Sequence, residues 1–193
     1  MPIDLTAAAT YFLIACWFAF ASIFLLRKKQ PSVTEVRRDS SAFIPIAVHG
    51  ISFGIVWTAR RHHGTALITA ALTPYLDVLA CVLAVSSVSF VLVSVRTLGK
   101  QWTVAARLVE GHNLVTQGPY RVVRNPIYTG MFGMLVATGI VLARWPAILI
   151  AIAIFLVATM QRIRVEESLL RSQFGAEFEQ YCEQVPNALL PGL

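Results

Sequence analysis

Residues 126–170 read "PIYTGMFGMLVATGIVLARWPAILIAIAIFLVATMQRIRVEESLL". Two apolar runs, 126–142 and 146–163, are separated only by a tight turn, "ARWP". A run of about 20 apolar residues spans a bilayer as a helix, so the second run is of spanning length and the first is short. A turn this tight folds the two into an antiparallel hairpin. The start of the first run and the end of the second then meet on the same side, and so do their polar groups.

Composition fixes the class around this hairpin. The chain has 193 residues, of which 56% are hydrophobic and 13% charged, and its mean hydropathy is +0.67. That is too apolar for an ordinary soluble domain of this size. Further apolar runs cover 7–26 and 42–59. A third, 66–98, is too long for one straight span at roughly 1.5 Å per residue. Pro74 offers a break, giving a span over 74–95 with 65–73 as a lead-in. The expected fold is all-α: one integral membrane domain over 1–193. It has about five transmembrane helices, at 7–26, 42–59, 74–95, 126–142 and 146–163. The loop before the fourth helix and the C-terminal helix form a cytoplasmic cap. The first run lacks the basic start and cleavage site of a signal peptide.

Basic residues set the expected orientation. Thirteen, among them Arg27, Lys28, Lys29, Arg96, Arg121, Arg124, Arg162 and Arg171, fall on one side of the spans. Only Arg60, Arg61 and Arg144 fall on the other. Such a bias places the N-terminus outside and the cap and C-terminus in the cytoplasm. The membrane would be the inner membrane of a bacterium or the endoplasmic reticulum of a eukaryote. The net charge of +6 flanks spans and forms no separate basic domain, which argues against nucleic acid as a partner.

Several site types are excluded. Cys16, Cys81 and Cys182 show no CxxC spacing, and the first two read as small apolar residues inside spans. No His, Cys or carboxylate cluster has metal-ligand spacing, no glycine-rich phosphate loop occurs, and no serine stands in a GxSxG elbow. His62 and His63 beside Arg60 and Arg61 read as an interfacial belt. Asp77, near a span end, is expected to reach water. His49 lies mid-span, where an ionisable group is either a functional residue or a neutral ring bonded to a helix carbonyl.

Polar residues concentrate at the two points that the hairpin brings together. The first is "LVEGHNLVTQGPYRVVRNPIYTG", residues 108–130. Gly118-Pro119 marks a turn, Asn125 is a good N-cap and Pro126 suits a first helical position. The helix start presents free N–H groups and a positive dipole end, which attract anions. Tyr120 and Tyr128 add flat faces with polar tips. The competing reading is a snorkelling basic collar. The second point is 160–186, where Arg162 and Glu166 share a helix face at i, i+4, with Glu167 beside them. An exposed pair of this kind is worth roughly 0.3–0.5 kcal/mol; held at a membrane edge, the same two groups could grip a zwitterionic ligand. Gly130, Gly133 and Gly139 would let the fourth helix pack closely against its neighbours.

The ordered elements Gly111-His112-x-Leu114-Val115, Gly118-Pro119-Tyr120, Arg124-x-Pro126-x-Tyr128-x-Gly130, the hairpin, Glu166-Glu167-x-x-Leu170 and Phe174-Gly175-x-x-Phe178-x-x-Tyr181 resemble the isoprenylcysteine carboxyl methyltransferase family. Phospholipid N-methyltransferases share a related C-terminal pattern. The resemblance covers about 98–186; the first three spans match only as hydrophobic helices. It implies S-adenosylmethionine as methyl donor, bound on the cytoplasmic side, and a lipophilic acceptor, such as a prenylated cysteine, entering from the bilayer lipid. Carried over by position, the cofactor site would comprise His112, Asn113, Leu114, Val115, Tyr120, Asn125, Pro126, Ile127, Tyr128 and Glu166. Arg162 would be the catalytic, substrate-binding residue, and no metal is implied. Asn125 stands where the family usually has histidine. A carboxylate acceptor is already a nucleophile, so the absence of any triad agrees with this chemistry. Two other readings remain: a sterol-type membrane reductase using a nicotinamide cofactor, and a non-enzymatic membrane scaffold.

Overall fold

The computed structural model describes residues 5–26, 35–38, 43–59, 71–99, 107–109 and 113–190, with backbone alone at 35–38, 43 and 107–109. Its helices are α1 (Leu5–Leu25), α2 (Phe43–Thr58), α3 (Thr73–Leu98), α4 (Pro126–Leu142), α5 (Trp145–Phe174) and α6 (Ala176–Gln184). Each of the five expected spans is a helix, α4 matches at both ends, and α5 runs eleven residues past the expected end at 163, to Phe174. Three of them, α1, α3 and α5, are long and apolar enough to cross a bilayer; α2 and α4 are shorter apolar helices. The protein is an all-α membrane protein in its architecture. The lead-in before α3 and the His62–His63 belt lie outside the described residues.

Short α4 sits in the middle of the bundle, packed on α1, α2, α3 and α5. Its glycines make this possible. A Cβ on Gly130 would fall inside contact distance of Val91 and 3.0 Å from the Ser87 carbonyl oxygen. One on Gly133 would meet the Ser87 side chain, and one on Gly139 would come within 3.0 Å of Ile148. The close approach expected of all three is therefore present, against α3 for the first two and α5 for the last. On one flank α4 closes an apolar cluster with Leu13 and Phe20 of α1 and Ala84 and Val91 of α3. On the other it meets Val56 of α2 and Phe155 of α5. One polar strut crosses the apolar interior, where Trp17 Nε1 donates to Thr138 Oγ1 at 3.0 Å. Cys16 is buried and Cys81 half-buried, both unpaired, as read from their surroundings.

Asp77 corrects an expectation. It is buried, not wetted, and its Oδ2 accepts from Thr6 Oγ1 at 2.7 Å. The α1 start lies against α3 at this level and covers the carboxyl, a tertiary screen that position along one helix does not reveal.

Two features shape the site end of the bundle. The α5 helix runs to Phe174, where Gly175 turns the chain at φ 50° so that α6 can fold back. A short antiparallel ribbon, β1 (Glu35–Arg38) with β2 (Arg107–Val109), joins the loop after α1 to the loop after α3. The sequence shows no sign of it, because segments of four and three residues are too brief for a period of two to register. At the opposite end the α4–α5 turn is tied to α2 by Arg144 N–H donating to the Ala59 carbonyl at 3.1 Å.

Candidate active site

The hairpin brings the start of α4 against the middle of α5, and the polar groups converge there. Arg162 is buried, with 5% of its side chain exposed, while Glu166 keeps 27%. Arg162 Nε donates to the Tyr128 hydroxyl and lies 3.0 Å from Glu166 Oε1. The Tyr128 hydroxyl in turn donates to the same carboxylate oxygen at 2.7 Å. An exposed surface pair is thus ruled out as the description of Arg162 and Glu166. The Arg162 side chain is buried and the Glu166 side chain half-buried.

Around this triad the chain's own C-terminal strap, residues 185–190, crosses the mouth of α4. Arg124 Nη1 donates to the carbonyls of Val185 and Pro186 at 2.6 and 2.7 Å. Its backbone N–H donates to Asn187 O at 2.9 Å. Ala188 O accepts from both the backbone N–H of Asn125, at 3.1 Å, and its side-chain Nδ2, at 3.0 Å. Ala188 and Leu189 then pack with Ile163, Tyr128, Leu156 and Met160, forming an apolar wall beside the triad. The strap is held in turn by α5, since Arg124 Nε donates to Glu167 Oε1 at 2.8 Å.

Asn125 therefore differs from its expected role. It occupies the N-cap position, but its side chain makes no cap bond; it faces the strap instead. Its backbone carbonyl still accepts from the N–H groups of Tyr128 and Thr129. The strap supplies an acceptor that the local sequence around 125 does not announce.

Two of the remaining expected residues, Leu114 and Tyr120, lie against α6. Leu114 packs with Phe178, Tyr181 and Val185. Gly118–Arg121 forms one 3₁₀ turn, begun by Gly118 at φ 59°, and Tyr120 within it is buried. Its carbonyl accepts from the Tyr181 hydroxyl at 2.8 Å, and burial pushes that hydroxyl above the ordinary phenol range. Burial likewise raises the Cys182 thiol, which lies half-buried on α6. Pro126 is buried and Ile127 half-buried at the α4 start; Val115 is half-buried and Asn113 exposed. His112 lies outside the described residues. Direct bonds thus join Tyr128, Arg162 and Glu166; Leu114 and Tyr120 lie against α6, Asn125 against the strap, and Ile127 packs on the cluster of α1, α3 and α4. No group of three metal-ligating side chains occurs among the described residues.

A model of the phospholipid methyltransferase family matches residues 76–177, just over half the chain. The chain belongs to that family. Its curated relatives include a protein-S-isoprenylcysteine O-methyltransferase of Schizosaccharomyces pombe, 36% identical over 86 residues, which cover 45% of this chain and 36% of that one. Protein-S-isoprenylcysteine O-methyltransferase B of Arabidopsis thaliana is 33% identical over 96 residues, 48% of each chain. A probable protein-S-isoprenylcysteine O-methyltransferase of Oryza sativa subsp. indica is 34% identical over 99 residues, 50% of this chain and 51% of that one. The chain spans between about a third and a half of the length of these relatives. In this phospholipid methyltransferase family member the matched segment runs from α3 to the start of α6 and holds Tyr120, Tyr128, Arg162 and Glu166. It leaves out α1 and α2.

Sequence reading named Arg124 and Glu167 in separate motif elements but not their pairing, which only the fold supplies. It passed over Thr159, which shares the α5 face of Arg162 and Glu166 by helical spacing.

Proposed function

We propose that this chain is an S-adenosylmethionine-dependent methyltransferase that esterifies the carboxylate of a lipophilic acceptor, of the S-prenylated cysteine class. The proposal places the site on the cytoplasmic face. The observation that carries it is the buried Arg162 guanidinium at the mouth of the α4–α5 hairpin, tied to Tyr128 and Glu166. Family membership and the names of the relatives support it.

The residues fit the cofactor. S-adenosylmethionine supplies a methyl group on a cationic sulfonium, together with an ammonium. The half-buried carboxylate of Glu166 suits a cationic partner, and segments 114–115 and 125–128 offer apolar and backbone surface. Arg162 binds the acceptor carboxylate through its planar guanidinium. Tyr128 holds that guanidinium in place. The strap wall of Ala188 and Leu189 keeps water from the acceptor side. Placement and exclusion of water supply several kcal/mol of barrier reduction, and no general base is needed because a carboxylate carries no proton to remove. An amine acceptor fits less well, since a protonated amine would meet the Arg162 cation.

The test is transfer of label from methyl-labelled S-adenosylmethionine in detergent, offering N-acetyl-S-farnesylcysteine and phosphatidylethanolamine vesicles in separate reactions. The expected product is a base-labile methyl ester of the former. Base-stable label in the phospholipid would transfer the assignment to N-methylation, and no label in either would refute it.

A further inference from the structure

The sequence leaves His49 with two meanings, and the triad does not use it directly. It projects from α2, outside the segment that matches the family. It is buried, and both ring nitrogens are engaged: Nδ1 with the Pro45 carbonyl at 2.7 Å, and Nε2 with Thr159 Oγ1 at 2.8 Å. A carbonyl can only accept, so Nδ1 carries the proton, and Nε2 is left to accept from the Thr159 hydroxyl. The neutral ring satisfies both partners and is fixed in rotation by them.

This fixed ring lies against the site. It is parallel to the Tyr128 ring, with 6° between the planes and 6.1 Å between centroids. Phe155 packs edge-on against its other side at 4.8 Å. Phe155, Thr159, Arg162 and Glu166 follow one another along a single face of α5. Tyr128 is therefore held at both ends: its ring by His49 on α2 and its hydroxyl by Arg162 and Glu166 on α5.

We infer that His49 is a positioning residue for methyl transfer, setting the plane of Tyr128 and through it the direction of the Arg162 guanidinium toward the acceptor. The inference rests on the proposed methyltransferase reading. His49 touches neither acceptor nor cofactor in this account. Its loss should lower turnover by on the order of tenfold, the effect of a misdirected group, and leave cofactor binding unchanged.

A double-mutant cycle tests it, with purified protein in detergent, methyl-labelled S-adenosylmethionine and N-acetyl-S-farnesylcysteine. His49→Phe keeps a flat ring and removes both hydrogen bonds. Tyr128→Phe keeps the ring and removes the hydroxyl. If His49 acts through that hydroxyl, His49→Phe lowers kcat in the wild type and scarcely lowers it further in Tyr128→Phe. His49→Gln, which keeps a donor and an acceptor, should restore part of the loss. Thr159→Val gives the same kcat effect without altering α2, and serves if His49→Phe does not fold. Equal losses in both backgrounds would show a merely structural role and overturn the inference; so would kcat within about twofold of wild type in both His49→Phe and Thr159→Val. Failure of the wild type to bind S-adenosylmethionine, measured separately by calorimetric titration, would instead strike the underlying methyltransferase reading.

Discussion

Arg124 and Glu167, 43 residues apart, meet at 2.8 Å with only 12% and 10% of their side chains exposed. This pair joins three parts of the site: the loop before α4, the α5 helix, and the strap whose carbonyls Arg124 also binds. Without Arg124 the buried Glu167 carboxylate keeps only the longer contact to Arg171, at 3.6 Å, and breaking a buried pair costs about 3–5 kcal/mol. Arg124→Ala should therefore lower the melting temperature sharply in detergent. Arg171 and Glu179, at 2.9 Å but 46% and 56% exposed, provide the contrast. Glu179→Ala, which leaves Arg171 its contact to Glu167, should change stability by less than about 1 kcal/mol. Equal melting shifts for the two variants would contradict the description of Arg124 as a buried clamp.

The α4 glycines make a second comparison. Gly130→Ala forces a Cβ against Val91 and the Ser87 backbone, so α3 and α4 must separate. Overpacking of this kind costs about 1–3 kcal/mol. A Cβ at Gly54 meets nothing within 4 Å. Gly54→Ala should be neutral or stabilising by about 0.5–1 kcal/mol, the helix preference for alanine. Thermal melts of the two variants side by side decide this; a loss at Gly54 matching that at Gly130 would sink it.

These residues also show how far the sequence could be read. Apolar runs gave five helices because a membrane helix carries its signal in local composition. Arg162 and Glu166 were legible because both lie on one helix, where spacing alone sets their faces. Arg124–Glu167, the Asn125 bond to Ala188 and the burial of Asp77 were not legible. Each depends on a partner 43, 63 or 71 positions away, and no local pattern encodes such a meeting. Asn125 shows the failure most plainly: a good cap by residue type, it bonds to the strap because the fold offers a carbonyl there.

Arg162 itself separates ion-pair chemistry from acceptor binding. Arg162→Lys preserves the charge but not the planar fork, so a two-point grip on a carboxylate is lost. Turnover should fall close to that of Arg162→Ala. The alanine variant should also lose stability, because Glu166 and Tyr128 lose the group that both contact. Kinetics of the lysine variant at saturating S-adenosylmethionine make the check. Wild-type turnover in Arg162→Lys would remove Arg162 from the acceptor site.

The proposed orientation rests on the thirteen-to-three split of basic residues and is tested by chemical labelling. Gln117 and Gln180 are exposed at the site end, and Arg144 is exposed at the other. Single cysteines at 117 and 180, in a background with the native cysteines replaced, should react only from the cytoplasmic face, and one at 144 only from outside. Labelling of position 117 from outside would invert the proposed topology.

The central claim is that the half-buried carboxylate of Glu166, beside the buried Arg162, receives S-adenosylmethionine. Calorimetric titration of the purified protein tests it most directly, with Glu166→Ala and Gly54→Ala measured in parallel. The account predicts saturable binding to the wild type and to Gly54→Ala. Binding to Glu166→Ala should be weaker by on the order of tenfold or more, the loss expected for a charge-assisted contact. Absence of saturable binding, stabilisation by a nicotinamide cofactor in its place, or full affinity in Glu166→Ala would contradict it.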